Sequence, residues 1–442
     1  MEIGIRAKYI LSFHENQPKV IENGSLIISG NKISAVQTHQ DISTDEVYDF
    51  PQHVLMPGLV NAHTHAAMTL FRGWADDIPL HSWLNDYIWP IEAKLTPELV
   101  EIGAKMAAVE SIKSGCTMVN SMYWYPQSEA KAFHSMGVRL LSGPPIITGV
   151  TKLKDNEKLI ANWHGKDDLI RVALNPHAPY TVSAEEYKEV YQYKQDFNEK
   201  TNLPPLFIHT HLAEGKGELK LIQDFAVKNG FEVETSIKSP VEYLAKLDIL
   251  DEQMIAAHSV ECSDNDLKIL KEHNVGISAN PVANMKLGHN IPRIDKMAGG
   301  NRVGLGTDGP SSNNNLDLFE TMKMAALTQK SKNQDPSIIP ASKSLQMATY
   351  QGANVLGWAN SGAIKEKYLA DLIIIDLKQP HLRPITNYNS LISHLVYSAH
   401  GQDVTDVMIN GKWRMRNNSI IDFNMDEFID KFDTNVYDLI NS

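Results

Sequence analysis

Apolar positions follow one habit in the middle of the chain and another at its ends. From Leu55 to about Gly357, short apolar runs that end in polar residues alternate with segments of helical length. The runs are residues 54–61, 117–122, 138–146, 170–175, 206–210, 254–257, 275–279 and 303–306. Near-continuous apolar strands separated by helices predict parallel βα units, because such strands are covered on both faces. Eight units close most economically into a (β/α)8 TIM barrel, with a doubly wound sheet as the alternative. One helix is well marked. Thr96 suits an N-cap and Pro97 the first helical position; Leu99, Ile102, Met106 and Val109 share a face, and Gly115 ends it.

Both ends read instead as short strands. Leu26-Ile27-Ile28 and Ile33-Ser34-Ala35-Val36 flank Gly30-Asn31, and Val407-Met408-Ile409 leads into Asn410-Gly411, each a hairpin signal. Neither end has enough strands to bury a core alone. The expectation is an α/β chain: residues 1–56 and 361–420 pair into one small β-sandwich domain, 57–360 form the barrel, and 421–442 a surface helix. Composition agrees, since 43% of the 442 residues are apolar and 21% charged. The balance of 41 basic and 53 acidic residues gives −12, which disfavours non-specific contact with nucleic acid or anionic lipid. Two cysteines, Cys116 and Cys262, exclude a disulfide framework and a four-cysteine zinc module. No apolar run approaches the ~20 residues of a membrane span, and Met1-Glu2-Ile3-Gly4-Ile5-Arg6 does not resemble a signal peptide, so a cytoplasmic setting is expected.

A barrel does its chemistry where its strands end. The first run ends at His63-Thr64-His65, the fourth at His177, the fifth at His209-Thr210-His211, the sixth at His258 and the eighth at Asp308. Packing alone does not explain imidazoles gathered at strand ends. His63 and His65, two apart, point to the same side of a strand, and neutral imidazole is a ligand for Zn²⁺ or Fe²⁺. His209 and His211 raise the same possibility, and spacing does not choose between them. Glu214, three residues on, is either a proton carrier or a solvated carboxylate of a helix's first turn. Asp308 reads as a metal ligand or proton acceptor. The glycines of Gly304-Leu305-Gly306-Thr307-Asp308-Gly309 do not mark a dinucleotide site, because a loop follows where that fingerprint needs a helix. His258 reads as a group supporting the reaction electrostatically. There is no H-E-x-x-H, G-x-S-x-G, Walker A or P-C-x-x-C motif, and no lysine in residues 171–175 to bridge two metals, so a single divalent ion is expected.

Taken together, Pro57-Gly58-Leu59-Val60-Asn61-Ala62-His63-Thr64-His65, His211-Leu212-Ala213-Glu214, Ser278-Ala279-Asn280-Pro281 with Asn284-Met285-Lys286-Leu287-Gly288, and Gly306-Thr307-Asp308-Gly309 resemble the amidohydrolase superfamily. Within it, the likeness is to 5-methylthioadenosine/S-adenosylhomocysteine deaminases and the related s-triazine and guanine hydrolases. The resemblance implies His63, His65, His211 and Asp308 as ligands of one metal ion, zinc or iron. It implies Glu214 as proton shuttle, and His258 and Asp308 as groups that hold the attacking oxygen. It also implies substrate contacts at Glu92, His177 and Glu214, with Trp83 and Ser312 beside them, and a homo-oligomer. The implied reaction is hydrolytic deamination of an adenine nucleoside; a guanine, pterin or s-triazine hydrolase is the alternative, and a metal-binding scaffold without activity a further one. One departure is informative. Ser142-Gly143-Pro144-Pro145-Ile146-Ile147-Thr148-Gly149 has no arginine where the family holds the tail of its substrate, only Lys152 and Lys154 downstream. Lysine does not reproduce a bidentate guanidinium fork, so a short apolar 5′ group, or a different heterocycle, is favoured over a homocysteine carboxylate.

Overall fold

The computed structural model describes residues 2–14, 17–39, 41–78 and 82–441. Eight parallel strands form a nearly closed barrel, hydrogen-bonded in sequence order: β1 (Leu59–Thr64), β2 (Cys116–Met122), β3 (Arg139–Gly143), β4 (Ile170–Pro176), β5 (Phe207–Leu212), β6 (Met254–His258), β7 (Gly276–Ala279) and β8 (Arg302–Leu305). All residues of β1, β2, β3, β5, β6 and β7 are buried, which is why they read as unbroken apolar runs. Side chains complete the seam between the last strand and the first. Asn61 donates to the Thr307 hydroxyl at 2.7 Å and accepts the Thr307 N–H at 3.0 Å. The Asp308 N–H reaches the His63 carbonyl at 3.0 Å, and the Thr64 hydroxyl reaches the Asp308 carbonyl at 2.7 Å. The seam therefore sets Asp308 beside the end of β1.

The run at 54–61 covers two elements. Its first part belongs to the strand Glu46–Pro57 of the small domain, where Met56 lies opposite Ile373, and β1 begins after Gly58. Nothing larger than glycine fits at the junction, since a Cβ on Gly58 would lie 2.2 Å from Thr117 Oγ1. The domain built from both ends of the chain is present. Glu2–His14, Gln17–Ser29, Lys32–Gln37 and Glu46–Pro57 join Leu372–Asp376, Val404–Ile409, Lys412–Arg416 and Ser419–Ile420. They make one continuous eight-stranded sheet that covers a core of Ile5, Ile10, Leu26, Ile28, Leu55, Leu372, Ile374 and Met408. The hairpin at Asn410-Gly411 has φ of 55° and 71°, the pair of positive values a type I′ turn requires.

The marked helix spans Pro97–Lys113, and Thr96 Oγ1 caps it by accepting the Leu99 N–H. Against it packs the final helix, Met425–Asn441, in which Phe428 and Leu439 are buried.

Candidate active site

His63 stands on β1, and His65 follows one residue after that strand ends. The Nδ1–H of His65 donates to the Met122 carbonyl at 2.7 Å, and the Nδ1–H of His211, on β5, to the His177 carbonyl at 2.8 Å. A carbonyl accepts only, so both rings carry their proton on Nδ1 and present a bare Nε2. Those two Nε2 atoms face each other across 3.3 Å. Asp308 Oδ1 lies 3.3 Å from Nε2 of His63 and 3.3 Å from Nε2 of His65. His63 Nε2 is buried and has no hydrogen-bond partner among the described residues.

Lone pairs and a carboxylate converging in a dry space are mutually repulsive unless a cation lies between them. Ligand atoms ~2.0–2.1 Å from a tetrahedral centre are ~3.3–3.4 Å from one another, the spacing these atoms already show. The residues therefore fit a divalent metal ion. Among the described residues, the groups able to hold one are His63, His65 and His211, and His63, His258 and Asp308. His209 stands behind that cluster, its Nε2 3.0 Å from Nδ1 of His63. The Ser312 hydroxyl donates to Asp308 Oδ2 at 2.7 Å, holding the carboxylate. Ala213, His258 at the end of β6 and Asp308 have φ of 52°, 72° and 63°, in the left-handed region that few residues with side chains adopt.

Burial sets the protonation states. It lowers His63, and together with neighbouring imidazoles it takes His209 and His211 well below the ordinary histidine value. His177 falls to about 4 and His258 to about 3, burial being the main cause in each. Burial opposes ionisation of Asp308, but His63 at its oxygen and the fields of His258 and His65 outweigh it, and the carboxyl lies far below its usual range. Glu214 goes the other way. Burial, then Asp308 and Glu218, push it well above an ordinary glutamate, so it retains a proton where exposed carboxyls have lost theirs. Its Oε1 is 3.9 Å from His258 Nδ1 and 3.7 Å from His289 Nε2. Glu218 accepts the N–H groups of Ala213 at 3.0 Å and Glu214 at 2.9 Å, which fixes the turn that carries Glu214. Burial raises Glu218 to about 7 despite those two bonds.

Glu92 receives the Tyr123 hydroxyl on Oε1 at 2.7 Å and the Trp124 indole N–H on Oε2 at 3.2 Å. Burial raises its pKa, with both donors acting against the rise. Trp83 is buried in the segment Trp83–Ile88 that leads into Glu92. His177 shares Nδ1 with the Thr181 hydroxyl at 3.0 Å, and its ring centre is 4.8 Å from that of His211. Sequence reasoning missed Tyr123, Trp124, Glu218 and His289. The first two follow the end of β2 directly, so the strand-end rule applied to polar aromatics would have found them. Glu218 is masked by its place in the first turn of the helix Glu218–Lys228, where glutamate is common, and His289 carries no sequence signal.

The amidohydrolase family's sequence model matches residues 54–414. Over 430 residues, 95% of each chain, this chain is 39% identical to a 5-methylthioadenosine/S-adenosylhomocysteine deaminase of Thermoanaerobacter pseudethanolicus. It is 39% identical over 422 residues to a 5′-deoxyadenosine deaminase of Methanosphaera stadtmanae, covering 92% of this chain and 93% of that one. In three dimensions it resembles the crystal structure of an adenosine deaminase from Xanthomonas campestris with bound zinc, with a TM-score of 0.91 and 29% identity over 100% of this chain and 99% of the other.

Proposed function

The chain belongs to the amidohydrolase family, and from that premise we propose that it is a metal-dependent hydrolase that removes the 6-amino group of an adenine nucleoside as ammonia. His63, His65, His211 and Asp308 would hold one divalent ion, zinc in this reading with iron as the alternative. Once bound, the ion supplies the Lewis acidity that lets water attack at neutral pH. The remaining steps belong to the chain's own residues. Protonated Glu214 donates to N1 of the purine, which makes C6 electron-poor. His258 donates to the incoming water oxygen, and the Asp308 carboxylate takes a proton from it. Of the two protons of that water, one leaves on the ammonia and one restores Glu214, while N1 keeps the proton it received. Each Glu92 oxygen keeps a lone pair for a ribose hydroxyl after Tyr123 and Trp124 are counted. His177 and Trp83 line the nucleoside, and Ser312 lies next to it. With no arginine in residues 142–149, the preferred 5′ group is short and apolar, as in 5′-deoxyadenosine or 5′-methylthioadenosine.

The observation that carries this reading is the convergence of the bare Nε2 atoms and the Asp308 carboxylate, with the Glu214 carboxyl set beside them against His258. No described helix is long and apolar enough to cross a membrane; the reading places the chain in the cytoplasm as a homo-oligomer, which light scattering on purified protein tests. The deciding experiment follows ammonia release and loss of adenine absorbance with 5′-deoxyadenosine, 5′-methylthioadenosine, S-adenosylhomocysteine and adenosine. Glu214→Gln should keep its metal and lose about 10³-fold or more in kcat. Near-normal turnover by that variant, or activity confined to guanine, a pterin or a chloro-s-triazine, would overturn the reading.

A further inference from the structure

His258 is held from behind by two amides. Asn284 Nδ2 lies 2.9 Å from its Nδ1 and Asn280 Nδ2 lies 3.2 Å from the same atom. Both asparagines are fully buried. At its other end Asn280 sets Oδ1 3.0 Å from the Ser278 hydroxyl, with its NH₂ turned toward the imidazole. Space for that arrangement is created by Gly306: a Cβ there would lie 2.3 Å from Asn280 Oδ1 and 2.6 Å from Ser278 Oγ. Asn280 and Asn284 converge on one nitrogen, and Ser278 and Gly306 bound the space at the far end of Asn280.

With two NH₂ groups, which only donate, turned toward it, Nδ1 of His258 is the acceptor. A neutral imidazole with an accepting Nδ1 has its proton on Nε2. This is opposite to His65 and His211, whose Nδ1 atoms donate to carbonyls and whose Nε2 atoms are bare. The same cluster thus contains two kinds of histidine, distinguished by what stands behind each ring. We propose that Asn280 and Asn284 are positioning residues that lock His258 in the Nε2–H tautomer, making it a hydrogen-bond donor to the attacking oxygen rather than one more metal ligand. The inference rests on the deaminase reading for what the donor acts upon, but the tautomer itself does not.

Two substitutions at one position separate this role from packing. Asp is nearly isosteric with Asn but its carboxylate only accepts, so Asn284→Asp draws the ring proton to Nδ1 and strips it from Nε2. Leu has similar bulk and neither donates nor accepts, leaving Asn280 to hold the tautomer. Asn284→Asp should lose about 10²-fold or more in kcat, the scale of a removed preorganised donor, with KM within about twofold and metal content unchanged. Asn284→Leu should lose less, within about tenfold. If packing alone mattered, Leu would be the worse replacement. The direct readout is the ¹⁵N NMR spectrum of histidine-labelled protein, with His258 assigned by its absence in His258→Gln. Wild type should show a pyrrole-type Nε2 and a pyridine-type Nδ1, and Asn284→Asp the reverse. A protonated Nδ1 in the wild type, or a Leu variant as impaired as the Asp variant, would overturn the proposal, and the wild-type spectrum decides even if a variant fails to fold. Absence of ammonia release from the wild type would sink the deaminase reading while leaving the tautomer result standing.

Discussion

Glu218 offers a perturbation whose size follows from the structure. Its buried carboxylate accepts two backbone N–H groups, yet burial outweighs them and the group titrates near 7 in place of 4.5. A rise of that size corresponds to ~3 kcal/mol at 1.36 kcal/mol per unit. For an acid raised by folding, the native state binds the proton more tightly than the unfolded chain. The stabilisation is therefore complete below about pH 4.5 and is lost as pH rises through about 7. Glu218→Gln has nearly the same shape and cannot titrate. The stability of the wild type minus that of the variant should thus fall by about 2–3 kcal/mol between about pH 5 and about pH 8. Paired urea-denaturation curves across that range measure it. The variant should also lose activity at every pH, since one amide oxygen accepts only one of the Ala213 and Glu214 N–H groups and its NH₂ opposes the other. Denaturation midpoints that run parallel for the two proteins would refute the reasoning.

Asn61→Ala should destabilise the barrel by about 2–3 kcal/mol, because it leaves the buried Thr307 N–H without a partner at the seam; a loss below about 0.5 kcal/mol in thermal denaturation would show the seam closed by other means. His209→Phe should weaken metal affinity about 10–100-fold while leaving the other three ligands in place, since it removes the acceptor behind His63; competition against a chelator reads the change. These join the expected retention of metal and loss of turnover in Glu214→Gln.

The barrel was legible because strands covered on both faces leave unbroken apolar runs, and the chemistry because imidazoles stand where those runs end. The boundary at 54–61 was not, since the last strand of the small sheet and the first of the barrel are equally apolar and only Gly58 separates them. His209 and His211 share one side of β5, so no spacing rule could choose between them; the choice is made by the His177 carbonyl behind one and His63 Nδ1 in front of the other. The Ser312 hydroxyl donates to Asp308. Glu218 and the asparagine pair act through backbone and ring partners remote in the chain, and such partnerships leave no periodic trace.

The proposed chemistry requires that His63, His65, His211 and Asp308 form one cation site. Metal analysis of the purified wild type beside His211→Asn, after zinc loading and removal of free ion, tests it most directly. About one equivalent per chain is expected in the wild type and a small fraction of that in the variant. A wild type that retains no metal, or a variant that retains as much, would contradict it.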